Sequence, residues 1–161
     1  MPDCRYPRAA IASKRPSWAH KAMRWLLDTC VVSELTRPEP SPQVQQWLAS
    51  NAAQSAIAAV SVGEIEHGLL RLPAGARKRR LQAWFEDLCS KFEARILPTN
   101  VPVWREFGRL KNDLEQTGRP QDDLDVAIAA TACCHKLILV TRNVRHFQDT
   151  GLEICNPWEP V

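Results

Sequence analysis

"DDLDVAIAATACCHKLILVTRNVRHF", residues 122–147, is the stretch whose reading decides the fold class. Its first half predicts a helix over 122–135 with an acidic first turn. "LILV" (137–140) is then the clearest strand of the chain, a short aliphatic run of the kind buried on both faces of a parallel sheet. "TRNVRHF" leaves that strand as a turn.

The same alternation runs outward through the rest of the chain. "RWLL" (24–27) is an apolar run ending at Asp28, and "TCVVSEL" after it reads as helix. Pro38, Pro40 and Pro42 interrupt, and Ser41 restarts a helix as N-cap with Pro at the first helical position. "SAIAAV" (55–60) suits a buried strand. "SVGEIEHGLLRL" follows, with Val62, Ile65, Leu69 and Leu72 at helical spacing. A helix over about 76–93 turns Leu81, Trp84, Phe85 and Leu88 to one face. "ARILP" is a third strand ended by Pro98, and the next helix, from about 101 to 117, is closed by Gly118 and Pro120. "EIC" near residue 154 is a fifth strand. Short strands alternating with helices imply βαβ units, hence an α/β protein of three layers, α/β/α, around a mainly parallel five-stranded sheet.

Composition agrees and removes other classes. With 161 residues, 45% hydrophobic and 24% charged, the chain suits one globular domain. No apolar run reaches the length of a membrane-spanning helix, and repeats are absent. The formal charge of +3 is local. Residues 1–22 hold five of the 21 basic residues and one of the 18 acidic ones, leaving 16 and 17 in the remainder. Bulk charge therefore does not argue for nucleic acid; only local patches could serve. Residues 1–22, rich in Pro, Arg, Ala and Ser, are expected to be a disordered extension, with the folded domain over 23–161 and Met23 as an alternative start. The six cysteines show no zinc-ligand spacing, and the four in hydrophobic segments fit small buried apolar groups, as in a reducing cytoplasm.

Four polar residues fall at comparable places. Asp28 follows the first strand, Glu64 lies in the first turn of the helix from Ser61, Asp125 opens the helix at 122–135, and Asn143 follows the strand at 137–140. Each has an ordinary explanation. Asp28 can cap a helix, "SVGE" fits a capping box with Glu64 at its third position, "DDLD" allows Asp122 as cap, and Asn143 suits a turn. As a set they suggest more. The C-terminal ends of parallel strands share one edge, where ligands bind; Asp125 follows no strand and joins that edge by inference. Carboxylates gathered there repel one another unless protons or hard divalent cations intervene. Capping and metal binding are compatible, and both readings stay open on the residues alone.

"LLDTCVVSEL", "SAIAAVSVGEIEHGL", "RILP", "DVAIAATACCHKLILVTRNVRHF" and "NPW" (156–158) occur in the order and spacing of a known family. Over them the chain resembles the PIN-domain nucleases, specifically the VapC-like toxins of bacterial toxin–antitoxin modules in their FitB-like branch. The resemblance implies a metal-dependent endoribonuclease with Mg²⁺ or Mn²⁺ as cofactor, RNA as substrate, a VapB/FitA-like antitoxin as partner, and a homodimer. It carries over Asp28, Glu64, Asp125 and Asn143 as the catalytic set, with Asp28, Asp125 and Glu64 on the metal. Many relatives have aspartate at the position of Asn143, so one charge is lost here. Thr29 and Thr141 are candidates to hydrogen-bond the carboxylates, or ordinary helix-start and turn residues.

Arg142 and Arg145 flank Asn143, placed for a substrate phosphate or for the surface. "RKRR" (77–80) is the densest basic patch, readable as solvated face, RNA contact or interface. His67 is one turn beyond Glu64, and His146 is expected to interact locally. Trp47, Trp84 and Trp104 sit at apolar helical positions and are expected to pack in the core or at an interface. Gly68 is a candidate for close helix–strand packing. The alternative function is a non-catalytic PIN scaffold binding RNA or protein, suggested by Asn143. A phosphotransfer receiver fits poorly, because Cys30 stands where a second aspartate would be needed.

Overall fold

The computed structural model describes residues 23–159; the expectations for residues 1–22 lie outside them. Five strands form one sheet: β1 (Trp25–Leu27), β2 (Ser55–Ala58), β3 (Ile96–Leu97), β4 (Ile138–Val140) and β5 (Ile154–Cys155). Their order is β3-β2-β1-β4-β5, and every pairing is parallel. The expected sheet is thus wholly parallel.

Seven α-helices connect them: α1 (Thr29–Glu34), α2 (Pro42–Asn51), α3 (Ala59–Leu70), α4 (Ala76–Phe92), α5 (Val101–Gln116), α6 (Asp123–His135) and α7 (Val144–Phe147). Alternation along the strands divides the core into two apolar clusters. Leu26, Ala56, Ala58 and Leu139 face Val103, Leu110 and Leu114 of α5 and the buried residues of α6. Leu27, Ile57 and Val140 face the other way, onto α1, α2, Ile65 and Leu69 of α3, and Phe85 and Phe92 of α4. With helices on both faces the three layers are complete, and the strands read as continuous apolar runs because neither face meets water.

Local signals explain most boundaries. Ser41 accepts from the Val44 N–H and Pro42 opens α2. Gly118, at φ 69°, ends α5: its N–H reaches the Glu115 carbonyl while that of Arg119 reaches Leu114. Lys136 ends α6 in the same left-handed conformation, and the chain reverses straight into β4.

Some expectations are corrected. β2 stops at Ala58, and α3 begins at Ala59 instead of Ser61. Glu64 therefore lies in the second helical turn, the capping box does not form, and Ser61 is buried with its hydroxyl unpartnered among the described residues. Trp47 and Trp84 pack against the α1–α4 side of the core, but Trp104 is 52% exposed. Gly68 faces open space: a Cβ there meets nothing within 4 Å, so no close packing demands a glycine. In "RKRR", Lys78 is committed to the end of α3, donating to the carbonyls of Leu70 and Leu72 at 3.0 and 3.1 Å. Among the described residues no helix is long and apolar enough to cross a membrane.

Candidate active site

Register creates the site. Leu27 pairs with Val140, so the residues after each, Asp28 and Thr141, leave the sheet side by side. The Asp28 N–H donates to the Val140 carbonyl at 2.9 Å, continuing the ladder by one bond. Asp28 occupies the N-cap position of α1, yet its side chain caps nothing. It is 4% exposed, and its Oδ2 accepts from the Thr141 hydroxyl at 2.6 Å and from the Cys30 thiol at 3.1 Å. The first is the length of an O–H···O⁻ bond.

Cys30 and Thr141 form a junction around that oxygen. Their Sγ and Oγ1 are 3.5 Å apart, and the Arg142 N–H donates to Cys30 Sγ at 3.5 Å. Burial first, and then the neighbouring charge of Asp28, push the Cys30 thiol up to about 11, which keeps it protonated and donating. Cys30 has no part in the expected site. The signal available was its position two residues after Asp28, on the face that the first helical turn brings back to the strand end.

Glu64 comes from α3. Its Oε2 accepts from the Thr29 hydroxyl at 2.6 Å, a link between α1 and α3. Half-buried, it has a pKa raised by desolvation first, and then by the charges of Asp28, Asp125 and Asp122; the Thr29 bond opposes the rise. Asp125 is the third residue of α6, whose N-cap Asp122 accepts from the Leu124 N–H at 2.9 Å. Its pKa is also raised, by desolvation first, with the charges of Asp28 and Asp122 adding and His146 opposing. His146 Nδ1 lies 2.8 Å from Asp125 Oδ2, joining α7 to α6 across 21 positions of sequence. His146 is thus a long-range partner of the acid, contrary to the local interaction expected of it. α6 ends where β4 begins, so its first turn necessarily points to the opposite, C-terminal edge of the sheet.

Asn143 is at the N-cap position of α7 without a side-chain cap bond. It is exposed, and its backbone N–H donates to Thr141 Oγ1 at 2.9 Å, so one hydroxyl serves both Asn143 and Asp28. The Arg142 guanidinium stacks over the Trp158 ring at 5.3 Å, and Arg145 is exposed on α7. The structure therefore gathers Asp28, Glu64, Asp125, Thr29 and Thr141, with Asn143, Arg142 and Arg145 on the adjoining loop. Among the described residues, no three His, Cys, Asp or Glu side chains are drawn into a tight metal-binding group. Instead the charge of Asp28 adds to the raised proton affinity of Glu64 and Asp125, and each of the three carboxylates is steadied through one oxygen by a hydroxyl or imidazole. Hard oxygen donors with unbalanced negative charge fit a small divalent cation.

An all-parallel five-stranded sheet between two helical layers thus presents acids from the end of β1, from α3 and from α6 at its C-terminal edge. The chain belongs to the PIN domain family, whose model matches residues 25–152. It is 34% identical over 138 residues to "VapC ribonuclease Y4jK" of Sinorhizobium fredii, covering 84% of this chain and 99% of that protein. It is 33% identical over 135 residues to "Toxin FitB" of Neisseria gonorrhoeae, covering 83% and 97%. Among solved structures it resembles FitAB bound to an IR36 DNA fragment, with a TM-score of 0.81 and 32% identity over 85% of this chain and 97% of that one.

Proposed function

We propose that this protein is the toxin of a toxin–antitoxin pair and acts as a metal-dependent endoribonuclease. The observation that carries the reading is the trio Asp28, Glu64 and Asp125, delivered by three separate elements to one sheet edge, with Glu64 and Asp125 strained toward their protonated forms. Similarity to a named VapC ribonuclease and to FitB supports the reaction and the partner.

In this reading Asp28, Asp125 and Glu64 would hold Mg²⁺ or Mn²⁺, which would supply activation of water and neutralisation of charge on the phosphate. Thr141 and Cys30 fix Asp28 in orientation, and Thr29 fixes Glu64. Glu64, anchored through Oε2 by Thr29, would ligate the ion through water or orient the attacking one. Asn143 contributes an oxygen without charge. Arg142, held by Trp158, and Arg145 bind substrate phosphate beside it. Nothing in the geometry favours the non-catalytic scaffold over this reading. The protein works as a cytoplasmic homodimer with a VapB/FitA-like antitoxin.

Purified protein should cut single-stranded RNA with Mg²⁺ or Mn²⁺ and stop in chelator. Asp28→Ala and Asp125→Ala should each abolish cutting while the fold persists. Cutting that survives chelator, or survives Asp28→Ala, overturns the mechanism.

A further inference from the structure

Beside Glu64 lies a groove of about 390 Å³, lined by Val60, Gly63, Glu64 and His67 of α3 and by Leu124 of α6. Both walls belong to helices that carry the acids, and Leu124 directly precedes Asp125. Three features of the groove lack a structural explanation. Leu124 is 43% exposed and joins neither apolar cluster of the core. His67 is exposed, and its imidazole makes no hydrogen bond or ion pair among the described residues. Gly63 sits inside a helix, where glycine is unfavourable, although a Cβ there meets nothing within 4 Å. Packing does not require that glycine; what its missing side chain provides is room in the groove.

We propose that this groove seats one nucleobase of the RNA, next to the phosphodiester being cut, and that His67 and Leu124 set the base preference. The inference rests on the nuclease reading and names where its specificity lies. A base has flat apolar faces, which Val60 and Leu124 match, and a polar edge, which the His67 imidazole can meet as donor or acceptor. A phosphate is unsuited to the groove, because Glu64 borders it and among the described residues neither Lys nor Arg lines it. Continuity with Glu64 places the occupant directly beside the reacting group.

The test uses the full chain with Mg²⁺ and a single-stranded RNA pool randomised around a central segment, with product ends sequenced. Wild-type protein should show a base preference at one position adjoining the cut. His67→Ala and Leu124→Ala should flatten that preference several-fold toward even use of the four bases, through slower cutting at the favoured base. Gly63→Leu fills the groove from a position with open space and improves helix propensity. It should melt at an equal or higher temperature, yet cut about tenfold or more slowly through a raised KM, as expected when a base cannot seat. An unchanged preference in both His67→Ala and Leu124→Ala overturns the assignment, as does Gly63→Leu cutting like wild type. Variants that cut RNA normally but bind a co-purified antitoxin less tightly assign the groove to a protein partner and also overturn it. A wild-type protein that cuts no RNA overturns the nuclease reading itself, a result distinct from all of these.

Discussion

Thr141→Val isolates the contact on which the site's geometry depends. Thr141 is fully buried, and its hydroxyl donates to Asp28 Oδ2 at 2.6 Å while accepting the Asn143 N–H at 2.9 Å. Valine keeps the shape and removes the hydroxyl. A hydrogen bond to a charged acceptor contributes about 1.5–3 kcal/mol. The substituted methyl returns roughly 0.8 kcal/mol of burial. Asn143 is exposed, so water can take over its amide at little cost. The expected net loss is about 1–2 kcal/mol, a fall in melting temperature of roughly 2–8 °C for a chain of this length. Urea denaturation of Thr141→Val, Asp28→Ala and the double variant should show a coupling of ~1–2 kcal/mol between the two positions. RNA cutting should be lost in Thr141→Val and retained in Thr141→Ser, which keeps the hydroxyl. A coupling under about 0.5 kcal/mol, or a valine variant that cuts like wild type, would refute the role of Thr141 in holding Asp28.

Other outcomes follow from the same physics. Glu64 has a raised pKa, so the folded protein holds a proton that the unfolded chain has released; its contribution to stability is therefore lost as pH rises through the raised value. Glu64→Gln should accordingly raise the metal-free melting temperature at pH 7 and do so no longer below about pH 4, where both states are protonated. Added Mg²⁺ should raise the melting temperature of wild type more than that of this variant. Glu34 is 3% exposed, with Oε1 accepting the Ser41 N–H at 2.9 Å and Oε2 3.2 Å from Arg37 Nε. Glu34→Ala should cost about 2–3 kcal/mol in urea denaturation by orphaning that amide, with cutting per folded molecule unchanged. Lys136, at φ 55° and exposed, pays for a left-handed conformation without a side chain that needs it there. Lys136→Gly should stabilise the fold by about 1 kcal/mol in the same assay.

Sequence by itself determined the layers, because strands buried on both faces must be nearly continuous in apolar residues, and "SAIA" and "LILV" allow little else. It determined most helix ends as well, where Ser41, Pro42, Asp122 and Gly118 act on atoms a few residues away. The start of α3 was not legible: Ala59 and Val60 suit strand and helix alike, and only the packed sheet ends β2 at Ala58. The candidate site divides along the same line. Asp28, Glu64, Asp125 and Asn143 could be marked in the sequence, each with an ordinary cap or turn as the better explanation when taken singly. Tertiary structure decided that Asp28 caps nothing and is held by Thr141 and Cys30, 113 positions away in one case and two in the other. It also decided that His146 serves Asp125 and that Glu64 lies beside an open groove. Those facts depend on strand register and on helix direction, which bring distant atoms within 3 Å and leave no periodic trace in the chain.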